Sequence, residues 1–211
     1  MSASLRAAPL AAALALAGCA WFQKAPQPQT TEGEWAKARD AATRRAFLYD
    51  GFNHRATVTA TLLSAAVREA RARRLGEWLG WTKAELDARL GQEQKEAAAG
   101  EEFFVSVYTA ESKLNDLDAP RSSWRVAVKV DGGDVVATRV TAADRDANTL
   151  GLFPYVGQFD VAYRVLLPFA PGGPLAGRPF VLEVASAAGK LSLDFGAPAG
   201  PLAPDSAVPP P

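Results

Sequence analysis

The alternation of apolar and polar residues along the chain shifts between the helical and the strand period, and each shift predicts an element. Trp35, Ala38 and Ala42 share one helical face behind Thr31 and Glu34, which have capping-box spacing, so a short helix is expected over about 34–43. Arg45, Phe47 and Tyr49 then alternate with Ala46 and Leu48. Asp50-Gly51 with Asn53 marks a turn, and Val58, Ala60 and Leu62 alternate with Thr57, Thr59 and Thr61 in a strand over 56–63. Residues 64–99 return to the helical period. Ser64 precedes Val67, Ala70, Leu75, Trp78 and Leu79, Gly80 breaks the pattern, and Thr82 with Glu85 forms a second capping box. Trp81 and Leu86 have the spacing of a hydrophobic staple, and Leu86 and Leu90 are neighbours on that helix, which ends at Ala97–Gly100.

From residue 101 the strand period resumes. Phe103, Val105 and Val107 lead to an Asn/Asp loop closed by Pro120, and Trp124, Val126, Val128 and Val130 form the clearest strand. Asp131–Asp134 turns it back into a single return strand over 135–141. An apolar connector with Leu150, Leu152 and Phe153 precedes a strand over 159–167, a Pro/Gly loop over 168–179, and a last hairpin carrying Phe180, Leu182 and Val184, then Leu191, Leu193 and Phe195. About seven or eight short strands with such turns predict a mainly β fold. The expected architecture is an immunoglobulin-like antiparallel β-sandwich over 34–196 with a helical hairpin inserted at about 64–99, a half-open barrel being the alternative. Residues 197–211, rich in proline, are expected to be disordered.

The N-terminus follows another logic. Arg6 precedes an apolar run from Ala7 to Ala17, too short to span a bilayer, and Leu16-Ala17-Gly18-Cys19 ends it with small residues and the only cysteine of the chain. This stretch resembles the lipobox of bacterial lipoproteins. The resemblance implies that residues 1–18 are a cleaved signal peptide, that Cys19 is acylated with palmitate-type chains, and that residues 19–33, with Pro26 and Pro28, tether the domain to membrane lipid. Ala20, where Asp often marks inner-membrane retention in such families, leans the expected location to the outer membrane facing the periplasm. Beyond the leader the chain is similar to small envelope lipoproteins without assigned activity, and that likeness assigns a role to no residue other than Cys19.

Composition narrows the chemistry. Lys+Arg and Asp+Glu are 23 each, for a formal net charge of zero, which argues against a nucleic-acid partner. With Cys19 acylated no thiol remains, and His54 is the only histidine, so thiol chemistry is excluded and a histidine-based site would have to use His54 beside its turn. Asp144, Asp146 and Asn148 alternate like calcium ligands, but Thr149 and Tyr155 stand where an EF-hand needs Gly and Glu. That stretch, and Asn115-Asp116-Leu117-Asp118, read as Asx-rich turns. Glu101 and Glu102 point to opposite faces of one strand, which separates them as a catalytic pair. Ser64, Ser106, Ser122 and Ser123 lack a nucleophile elbow, and Gly172-Gly173 precedes no helix. Arg68, Arg71, Arg73 and Arg74 read as a solvated face paired with Glu69, Glu77, Glu93 and Glu96, the other use of such a cluster being contact with anionic head groups. Trp35, Trp78, Trp81 and Trp124 read as packing residues. The expectation is a lipid-anchored, non-catalytic binding or scaffolding protein of the cell envelope with a protein partner, no catalytic residue, no metal and no cofactor. The alternatives are a carrier for a hydrophobic ligand with the helical hairpin as its lid, and a metal-assisted hydrolase.

Overall fold

Contacts divide the chain into Met1–Thr31 and Glu32–Pro211, and the computed structural model describes residues 33–199, all in the second unit. The leader, Cys19, nearly all of the tether and the tail from residue 200 lie outside the described residues. The elements run in the order α1 (Gly33–Ala41), β1 (Thr43–Asp50), β2 (Asn53–Leu62), α2 (Ala65–Leu79), α3 (Lys83–Ala99), β3 (Glu101–Thr109), β4 (Arg125–Val130), β5 (Gly133–Val136), β6 (Arg139–Ala142), α4 (Ala147–Leu152), β7 (Val161–Leu167), β8 (Val181–Ser186) and β9 (Gly189–Asp194). All strand pairs are antiparallel, in a five-stranded sheet of order β1-β2-β3-β7-β6 and a four-stranded sheet of order β5-β4-β8-β9.

The alternation read from the sequence sets what each face buries. Val58 and Ala60 of β2, Val105 of β3 and Val165 of β7 point inward and meet Val128, Leu182 and Val184 of the smaller sheet, all fully buried. The opposite face of the five-stranded sheet is covered as well. Trp35 of α1, Val67 of α2, and Leu152, Phe153, Tyr155 and Val156 pack there on Phe104, which stacks on Phe153 at 3.7 Å. The described residues thus form three layers, and β3, covered on both faces, is the most enclosed element among them.

Of the expected caps, those of α2 and α3 are present, and Thr31 of the first capping box lies outside the described residues. Ser64 accepts from Val67 N, Thr82 and Glu85 exchange both bonds of a capping box, and Gly80 ends α2 at a left-handed φ of 64°. Two expectations are corrected. The return strand over 135–141 is two strands in different sheets. Ala137 N still donates to Val126 O in the small sheet, whereas Thr138 N donates to Leu166 O in the large one, so the chain crosses between the layers there. The connector at 147–152 is a helix, because Asp146 accepts from Thr149 N at 2.7 Å and caps α4.

A candidate ligand-binding site

The helical hairpin is fixed to the sheet by charge. Arg68 is 1 % exposed. Its Nε donates to Leu63 O at 2.9 Å, one terminal nitrogen reaches Glu93 at 3.0 Å and Glu96 at 2.9 Å, and the other reaches Glu102 of β3. Glu93, the only buried residue of α3, also accepts from Arg71 at 2.8 Å and Arg89 at 2.5 Å, while Arg164 of β7 closes the network on Glu102. Burial opposes ionisation of Glu93, but Arg71, Arg68 and Arg89 outweigh it and hold its carboxyl below the usual range. The solvated-face reading therefore holds for Arg73 with Glu69; Arg74 pairs with Glu77 but is largely covered over Trp78, and Arg68 and Arg71 make the expected pairs with Glu93 and Glu96 but are buried rather than solvated.

The cleft below this hairpin has a volume of about 510 Å³ and mixed walls: Arg71, Arg89, Arg164, Asp144 and Asp146 line it together with Leu75, Leu79, Trp81, Phe104, Leu152 and Phe153. The buried network pins the hairpin to the sheet at Leu63 and Glu102. A more apolar space lies elsewhere. A cavity of about 670 Å³ opens between α1, the first turn of α2 and the Pro/Gly loop before β8. Ala38 and Ala41 of α1 and Ala42 just after it leave the space, Leu62 and Val67 wall it, and Phe180 and Phe195, stacked at 4.5 Å, line its β8–β9 side. Glu101 holds the loop wall in place by accepting from Leu175 N at 2.7 Å. Two arginines line the same cavity. Arg44 donates to Asp194 O at 3.0 Å, Ala41 O at 2.9 Å, Thr43 O at 2.8 Å and Ala197 O at 2.7 Å, and its guanidinium lies 5.2 Å from the centre of the Phe195 ring. Arg178 donates to Gly173 O and Pro171 O, both at 2.9 Å. The sequence pattern marked Phe180 and Phe195 as strand residues, but not Arg44 or Arg178. Arg44 stands in an ordinary strand start and Arg178 in a loop that reads as a connector.

The other residues singled out from sequence are scattered. A β-bulge places both His54 and Arg55 against the single step from Tyr49 to Leu48, which turns His54 to the outer face of β2. There it lies between the Tyr49 and Tyr108 rings, at 5.1 and 5.2 Å, with Nε2 2.7 Å from Thr57 Oγ1, in a polar cleft of about 290 Å³. Ser106 instead donates to Asp160 at 2.6 Å, and Ser122 and Ser123 bond Asp116, so no serine is brought to His54. Glu101 and Glu102 occupy opposite faces, as expected. Trp35 and Trp124 are buried and donate to Leu152 O and Leu114 O, Trp81 packs on Gly76, and Trp78, 40 % exposed, packs under Arg74 and against Gly151. Among the described residues no group of three or more acidic, histidine or cysteine side chains is placed to hold a metal ion, and no helix is long and apolar enough to cross a membrane.

No protein-family model matches the chain, and neither a curated protein nor a solved structure matches it.

Proposed function

We propose that this chain is a lipid-anchored, non-catalytic binding protein of a bacterial cell envelope, held at the periplasmic side of the outer membrane through acylated Cys19, and that it carries an apolar ligand in the cavity beside α1. The lipobox-like stretch supports the anchorage. The observation that carries the binding role is the cavity itself: about 670 Å³, within the range of small-molecule sites and walled mainly by alanine, leucine, valine and phenylalanine. The test is the fluorescence of a neutral naphthylamine dye. Saturable enhancement is expected with the wild-type protein. Ala41→Trp, which fills the cavity from an exposed helix position, is expected to abolish it without lowering the melting temperature. Equal enhancement with this variant would remove the proposal.

A second reading, a docking surface for an envelope protein, is favoured by the β1–β2 hairpin, where Phe47 and Tyr49 are 53 % and 57 % exposed and Phe52 is fully exposed. Crosslinking in the intact envelope, with and without Phe52→Ser, tests it. We also infer an immunoglobulin-like sandwich, supported by the antiparallel pairing and by the chain crossing from one sheet to the other between β5 and β6.

A further inference from the structure

We propose that the cavity beside α1 takes a single-chain amphiphile with an anionic head, a long-chain carboxylate, with the head at Arg44 and Arg178 and the chain against the α1 alanines and Phe180. This rests on the reading of the cavity as an apolar-ligand site and names the chemistry of what enters it.

The argument is one of unanswered charge. Both guanidiniums are held by carbonyl oxygens, and among the described residues neither has a carboxylate within ion-pair distance. The nearby carboxylates are engaged elsewhere. Asp194 accepts from Gly196 N at 2.8 Å and Ala197 N at 3.3 Å, and Glu101 accepts from Leu175 N at 2.7 Å, so each acts on its arginine only at longer range. Carbonyl dipoles orient a guanidinium but leave its charge in place, and an arginine does not shed its proton to relieve burial. Two such charges at the edge of an apolar chamber raise its potential and favour an anion. Burial already pulls Arg44 below the ordinary arginine value, with Asp194 offsetting this in part, and an anionic head would relieve that cost. Three of the five N–H donors of Arg178 and one of Arg44 remain for a head group.

Size admits a single long chain. Taking for each methylene roughly the 30 Å³ of a water molecule, a chain of about sixteen carbons fills roughly 500 Å³. The cavity of about 670 Å³ is large enough for one such chain.

The test is displacement of the neutral dye from the full-length protein by hexadecanoate, hexadecanol and hexadecyltrimethylammonium. Hexadecanoate is expected to displace at a concentration about tenfold below hexadecanol, with the cation weaker still. Arg44→Gln with Arg178→Gln is expected to erase the preference for hexadecanoate over hexadecanol. Arg44 also ties β1 to the segment after β9, so its removal could unfold the protein. Arg178→Gln alone, which touches one loop, is then read, and a fall in the preference of about threefold or more is expected. Equal displacement by hexadecanoate and hexadecanol, or an unchanged preference in the arginine variants, overturns the anionic head and leaves the apolar site standing. Displacement by none of the three overturns the site itself.

Discussion

Glu101 and Glu102 are adjacent in sequence and meet different worlds across β3. Burial pushes the Glu101 carboxyl above its usual value, although the Leu175 N–H and Arg178 draw it back. A raised folded-state value means that the charged form costs stability: the contribution is most favourable below the unfolded value of about 4.5 and is lost as pH rises through the folded one. Glu101→Gln keeps an acceptor for Leu175 N–H and removes that cost. Its urea midpoint is expected to exceed wild type at about pH 8 and to converge on it at about pH 4. Arg68 makes the opposite case. Arg68→Met strands Glu93 and Glu102 without their central cation, and a loss of about 3–5 kcal/mol is expected in urea unfolding. Of its partners, Glu93 and Glu96 were legible from the sequence as acids on the facing helix. Glu102 was not, because it pairs from a strand 34 residues away and nothing in the local pattern links the two elements.

Elements whose signals are local were the most legible. Ser64, Thr82, Glu85 and Gly80 mark the ends of α2 and α3 through bonds that span only a few residues. Thr82→Ala is expected to cost about 1 kcal/mol, seen as a lower melting temperature. What holds the hairpin down depends on pH. Burial opposes ionisation of both Glu93 and Glu96, yet their bonds outweigh it and hold both below the usual value, so their contribution is present above the unfolded value of about 4.5 and lost as pH falls through the folded ones. Acidification below about pH 4.5 is expected to free the hairpin before the sandwich core unfolds, read as faster amide exchange in α2 and α3 than in β3. The crossing between β5 and β6 was hidden for a physical reason. Val135, Val136 and Val140 continue a strand-like run, and only tertiary hydrogen bonding at Ala137 and Thr138 decides which sheet each half joins.

At the scale of the whole molecule, the mainly β character and the inserted hairpin were legible because period and turn residues agreed over most of the chain. The cavity was not, since it is made where α1, the start of α2 and a proline-rich loop fail to fill space, and the sequence gives no sign that three such segments meet. The proposed anchorage is tested at this scale too. Cys19→Ser is expected to abolish incorporation of labelled palmitate and to leave uncleaved precursor, read on a gel.

The chain crossing at Ala137–Thr138 has one more effect. It joins β5 and β6, the strands at one margin of each sheet, each only four residues long, while Arg44 ties β1 to the Asp194 carbonyl at the end of β9 on the other margin. Few unpaired backbone groups are then presented to a neighbouring molecule along the β5–β6 margin, so that margin offers little template for edge-to-edge aggregation.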